Sequence, residues 1–161
     1  MVVIDPDKVH RVIHDILRPY LETKLSDPGY SLSDPKNRTL TTPSVSQLHR
    51  MFLSDFPKRP PMYPVVILQN ISIPGDRIDR RDSMFENKAT IRFLIHCKST
   101  TNGHNIINGL REIVARDYDE LCELGIIEPK ITGSTGPNRT DESGTFALTL
   151  SIECLIYSKQ P

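Results

Sequence analysis

GTFALTLSIECLIYS, residues 144–158, places Phe146, Leu148, Leu150, Ile152, Cys154 and Ile156 on alternate positions, with Thr145, Thr149, Ser151 and Glu153 between them. Side chains of an extended chain point alternately to opposite faces, so this stretch predicts one long strand with an apolar side and a mostly polar side. The apolar side requires a core to lie against.

Working back from that strand, NKATIRFLIHCKS (87–99) repeats the pattern. Ala89, Ile91, Phe93, Ile95 and Cys97 alternate with Lys88, Thr90, Arg92, Leu94, His96 and Lys98. YPVVILQNISI (63–73) opens with a continuous apolar run at Val65–Leu68, the pattern of a strand covered on both faces. The two predict a long hairpin through PGDRIDRRDSMFE. A shorter strand is expected at about 126 to 133, followed by the polar, glycine-rich TGSTGPNRTDESG as a mobile loop.

Helices are expected between these strands. Asp5 before Pro6 marks a helix start, because Asp accepts from orphan amides and proline needs no N–H in a first turn. Val9, Val12, Ile13, Ile16, Leu17, Tyr20 and Leu21 continue it with helical spacing over about 6 to 22, where Pro19 kinks or stops it. A second main helix runs from about Asn102 to Leu124, capped by Gly125, with Ile106, Ile107, Leu110, Ile113, Val114, Tyr118 and Leu121 as its stripe. Glu112, Arg116 and Glu120 sit four apart on its other faces. Seven of the thirteen prolines fall in residues 26–64, an extended arm or long surface loop at 26–62. Within it Ser44 and Gln47 have capping-box spacing, and Val45, Leu48, Met51 and Phe52 predict a short helix over about 45 to 55. The expected fold is a single α+β domain over 1–161: an antiparallel sheet with two main helices on one face, in the order helix, strand, strand, helix, strand, strand.

Twenty basic and twenty acidic residues cancel, which argues against a generally basic nucleic-acid binder. No apolar run approaches the roughly 20 residues of a membrane helix, and the N-terminal segment lacks the pattern of a secretory signal, so cytoplasmic synthesis is expected. Cys97, Cys122 and Cys154 form no paired framework and suit a reducing compartment, with Cys97 and Cys154 expected as buried thiols. The phosphate-loop and dinucleotide fingerprints and the G-x-S-x-G elbow are absent. His10 and His14 have the spacing of two metal ligands on a helix but no evident third partner. His96 and Cys97 are neighbours on a strand and so point to opposite faces. The sequons at Asn37, Asn70 and Asn138 carry no message without a secretion signal. No catalytic residue, cofactor or metal is expected, and the chain reads as a non-enzyme.

Two features remain. Lys88, Arg92, His96 and Lys98 form a basic stripe on the outward side of one strand, which is either a solvated face or a contact for a phosphate backbone. No aromatic ring stands among them to stack a base. The hairpin loop at 74–87 mixes Asp76, Arg77, Asp79, Arg80, Arg81, Asp82 and Glu86 with Ile78, Met84 and Phe85, a composition suited to exposed loop charges or to a self-complementary contact.

The sequence of elements, from the early amphipathic helix through YPVVILQ, ATIRFLIHCKS, NIINGLREIVARDYDEL and the closing FALTLSIECLIY, resembles the tail-terminator and tail-completion proteins of tailed bacterial and archaeal viruses. The likeness covers most of the chain and has no signature motif. It implies a virion protein, assembled in the host cytoplasm, that forms a homo-oligomeric ring, commonly a hexamer, at the head-proximal end of the tail tube. Such a ring ends tube polymerisation and docks the tail to the head-side connector or neck protein. On that implication Arg77, Arg80, Arg81, Asp82 and Phe85 bridge subunits, the 26–62 arm reaches tube or connector, and Lys88, Arg92, His96 and Lys98 face a lumen through which DNA passes. The alternatives are a small nucleic-acid or regulatory binding module using the basic face of strand 88–98, or another neck or tail-tube component.

Overall fold

The computed structural model describes residues 3–4, 9, 11–26, 45–53, 64–79, 84–140 and 144–159. Among these, Ile13–Leu17 form a π-helical turn that continues into α1 (Arg18–Leu25). Then come α2 (Val45–Met51), β1 (Phe52–Leu53), β2 (Val65–Asp79), β3 (Met84–Cys97), α3 (Thr100–Arg116), α4 (Tyr118–Glu123), β4 (Ile127–Arg139) and β5 (Phe146–Lys159). The Asp5–Pro6 helix start, His10 and most of the proline-rich segment (27–44 and 54–63) lie outside the described residues.

The fold is α+β. One sheet of five strands has the order β1-β2-β3-β5-β4. The expectation of an all-antiparallel sheet needs correction, because β1 pairs parallel with β2 through Phe52↔Val66 and Leu53↔Ile67. Two residues carry no periodicity, so Phe52, the last of an apolar helical stripe by sequence, gave no sign of a strand. A parallel bridge from Ile4 to Ser158, with the Ile4 amide donating to the Tyr157 carbonyl at 2.8 Å, continues the sheet beside β5.

β5 lies at the centre of the core, as its alternation requires. Leu148, Leu150, Ile152, Cys154 and Ile156 are buried, and so are Ala89, Ile91, Phe93, Ile95 and Cys97 on β3. The two sets share a face, since Ile91 lies opposite Ile152 and Phe93 opposite Leu150. Leu17, Leu21, Leu25, Leu48, Ile106, Leu110, Ile113 and Leu121 join the same cluster from the helices. Each fully buried side chain of this size contributes about 1.5–3 kcal/mol. Every buried apolar helix side chain belongs to that cluster, so among the described residues the helices cover one face of the sheet. The run Val65–Leu68 is buried throughout, with Val65 and Ile67 on the opposite face and outside the main cluster.

Several boundaries differ from expectation. Pro19 does not end the first helix. It stands in the first turn of α1, just after the π-helical turn, and the helix runs to Leu25. The second main helix is two helices, broken at Asp117 (φ −106°, ψ 27°), whose own amide still donates to the Ile113 carbonyl at 2.8 Å. The break turns Tyr118 out of the apolar stripe, leaving it 40% exposed, while Leu121 returns to the core. Gly125 closes α4 with φ +97°, as expected of a C-terminal cap. Most of the predicted hairpin loop is strand, since Asp76 pairs with Glu86, Arg77 with Phe85 and Asp79 with Met84. The predicted mobile loop after residue 131 is likewise the second half of β4, continuing to Arg139. Neither segment carries an apolar alternation to read in the sequence.

Candidate interaction surface

The helix-free face of the sheet is built from rows that cross the strands. Ile71, Thr90, Glu153 and Lys130 form one row; Gln69, Arg92, Ser151 and Gly133 the next; Ile67, Leu94, Thr149 and Thr135 a third. The middle rows set Gln69 and Arg92 and the apolar Ile67 and Leu94 beside small residues of β5 and β4. Charge gathers at one end, where a depression of about 250 Å³ is lined by Glu86, Glu128 and Glu153 together with Lys88 and Lys130.

Local backbone explains how Glu128 reaches this cluster. The pairing of β4 with β5 slips between Ile127 and Lys130, and Glu128 in that slip has φ +48°, a left-handed conformation uncommon for a residue with a side chain. Across the same end, the Tyr157 hydroxyl donates to Glu86 Oε2 at 3.3 Å. Burial, and then the negative charge and hydrogen bond of Glu86, raise the Tyr157 pKa, so this tyrosine stays neutral at neutral pH.

The predicted basic stripe lies on this face but not as a basic surface. Lys88 is exposed and Arg92 and His96 are half-buried. Burial lowers the His96 pKa, which leaves the ring uncharged at neutral pH. Lys98 falls one residue past the end of β3. Glu153, opposite Thr90, and Glu86 and Glu128 set carboxylates among the cations. A reading of one strand could not see Glu128 and Glu153, which arrive from β4 and β5 through sheet pairing, and Glu86 fell in the predicted hairpin loop rather than on the strand.

Of the five residues expected at a subunit contact, Arg77 lies on β2 opposite Phe85, and Phe85 is half-buried on β3 between Arg77 and Ser158. Arg80, Arg81 and Asp82 lie outside the described residues.

A second polar cluster binds the helices together. Glu22, 6% exposed, accepts from Arg18 Nε at 3.1 Å and meets His49 Nδ1 at 3.1 Å, while Arg18 Nη2 donates to the His49 carbonyl at 2.9 Å. This ties α2 to α1. Lys24 Nζ lies 2.7 Å from Glu120 and 3.8 Å from Asp117, tying α1 to α4, and the Tyr20 hydroxyl also donates to Glu120 at 3.0 Å. The hydrogen bond from Lys24, then that from Tyr20, lowers the Glu120 pKa. Apart from Arg18 and Glu22, four apart on one helix, the partners are distant along the chain, so spacing does not reveal these clusters.

Among the described residues no group of three or more His, Cys, Asp or Glu side chains could hold a metal ion, and no helix is long and apolar enough to cross a membrane. His96 and Cys97 point to opposite faces, the thiol being buried in the core, where desolvation raises its pKa. Cys154 is pushed up to about 12, mainly by burial. No protein-family model matches the chain, and no curated protein is significantly similar to it in sequence.

Proposed function

We propose that this chain is a structural virion protein of the tail-terminator or tail-completion kind. On this reading it forms a ring, a hexamer by analogy with the proteins it resembles, on the head-proximal end of a viral tail tube, ends tube polymerisation and docks the tail to the neck. The observation that carries the reading is the helix-free sheet face, where carboxylates and ammonium groups from three strands alternate at one end. A surface with both signs of charge can find its complement on a like copy, and a head-to-tail contact that closes by rotation makes a ring. The Arg77–Phe85 end of the β2–β3 hairpin and the proline-rich segment supply further contact to neighbours, tube or connector.

Light scattering with negative-stain microscopy, with and without tail-tube subunits, tests it. Closed rings that cap tube ends are expected. Incorporation along the tube would instead mark another tube component, and a protein that stays a single subunit and ignores tubes would overturn the proposal. Arg80→Glu with Arg81→Glu is expected to disrupt assembly while leaving the melting transition of the subunit in place.

The rival use of this face, binding DNA through a basic stripe, is disfavoured by Glu86, Glu128 and Glu153 and by a neutral His96. Direct titration with duplex DNA is expected to give no binding with the steep salt dependence of a multi-phosphate contact.

A further inference from the structure

We infer that the two outer edges of the sheet pair with one another between copies of this chain: β4 of one copy meets, on its neighbour, the part of β2 that lies beyond β1. The inference rests on the ring reading above and supplies its contact.

Strand parity makes the contact possible. β2 and β3, β3 and β5, and β5 and β4 are all antiparallel. Direction therefore reverses three times, and β4 runs opposite to β2. A copy repeated in the same orientation presents its β2 antiparallel to β4, so the alternation continues unbroken across the boundary. Among the described residues no strand pairs with the outer side of β4, and β1 occupies β2 only at Val66 and Ile67. Edges of this kind present rows of N–H and C=O groups that template further pairing. Residues Thr132–Arg139 of β4 are exposed along their length.

Charge fixes how the edges meet. An antiparallel approach brings the start of β4, with Lys130, to the far end of β2, with Asp76. Both positions belong to the helix-free face, Lys130 opposite Glu153 and Asp76 opposite Glu86. With Lys130 against Asp76, Ser134 falls against Ser72, and these two share the helix-backed face, opposite Leu150 and Ala89 respectively. Pro74 and Pro137 have no N–H to give. Pro74 falls between these two pairs, opposite Thr132, and Pro137 falls opposite Gln69, so the missing donors reduce the number of registers the two edges can adopt.

Disulfide trapping in the full chain tests this. Ser72→Cys with Ser134→Cys, in a Cys122→Ser background, is expected to give a ladder of covalent species up to the ring order after mild oxidation. Either single variant is expected to remain uncrosslinked. Rings that form but give no ladder would overturn the edge contact and leave the ring reading standing. A single subunit at every concentration would overturn both. Dimers from Ser134→Cys alone would overturn the proposed pairing in favour of β4 against β4. Independently, Lys130→Glu is expected to lower ring yield at least tenfold and Asp76→Lys in the same chain to restore it; no restoration would overturn the register.

Discussion

At Gly103 a Cβ atom would stand 2.5 Å from Leu148 Cδ1 and 2.9 Å from Cys97 Sγ. The first turn of α3 therefore lies directly on β3 and β5, and a methyl group there must displace core atoms. Gly103→Ala is expected to destabilise the fold by about 1–3 kcal/mol, the usual cost of overpacking, as read by urea denaturation. Gly136 is constrained twice over, by φ +98° and by a virtual Cβ 2.6 Å from the Ala147 carbonyl oxygen. The core thiols make a second prediction at this scale. Cys154 has a pKa raised from 9.0 to about 12, so the folded state favours the neutral thiol. That contribution is whole below pH 9 and is lost as pH rises towards 12. Under native conditions at pH 8, a thiol reagent is expected to modify partly exposed Cys122 while Cys97 and Cys154 wait for unfolding. Rapid modification of all three would contradict the burial.

Between elements, apolar packing and the charge clusters contribute very differently. Leu25 is fully buried in the cluster shared by helices and sheet, and Leu25→Ala is expected to cost about 2–5 kcal/mol. Lys24, next to it in sequence, bridges α1 to α4 through partly exposed groups, and Lys24→Met is expected to cost less than about 1 kcal/mol. The Lys24 change has a distinct signature. Glu120, whose pKa Lys24 holds below the ordinary 4.5, is expected to titrate closer to 4.5 in the variant, followed by its carboxyl carbon shift. Because the native pKa is depressed, any support from this contact is present above the ordinary value and lost as pH falls through the native one. An unmoved titration would show that the Lys24 contact does not form in solution.

This scale also separates what was legible from what was not. The alternation in residues 144–158 and 87–99 reports burial directly, and the buried positions of β3 and β5 follow it. The break at Asp117 was hidden, because an apolar stripe continues in sequence across a residue whose non-helical backbone no spacing reports. The outer halves of β2 and β4 were hidden for the opposite reason. They are held by pairing to a neighbouring strand, and a polar stretch without apolar alternation carries no periodic signal. The acidic residues of the helix-free face were each visible, but their meeting with Lys88 and Lys130 depends on the register of three strands.

For the molecule as a whole, the described residues form a sheet backed by helices on one face, with no described helix on the other and with β4 running opposite to β2. On the ring proposal, the charges of that second face and the backbone edges of the sheet meet neighbouring copies. Mass measurement across a concentration series tests that most directly, by light scattering on the purified chain with microscopy of the same sample. The account predicts a closed ring of fixed order that caps the ends of tail tubes and does not grow further. A particle that remains one subunit at every concentration, with or without tubes, would contradict it.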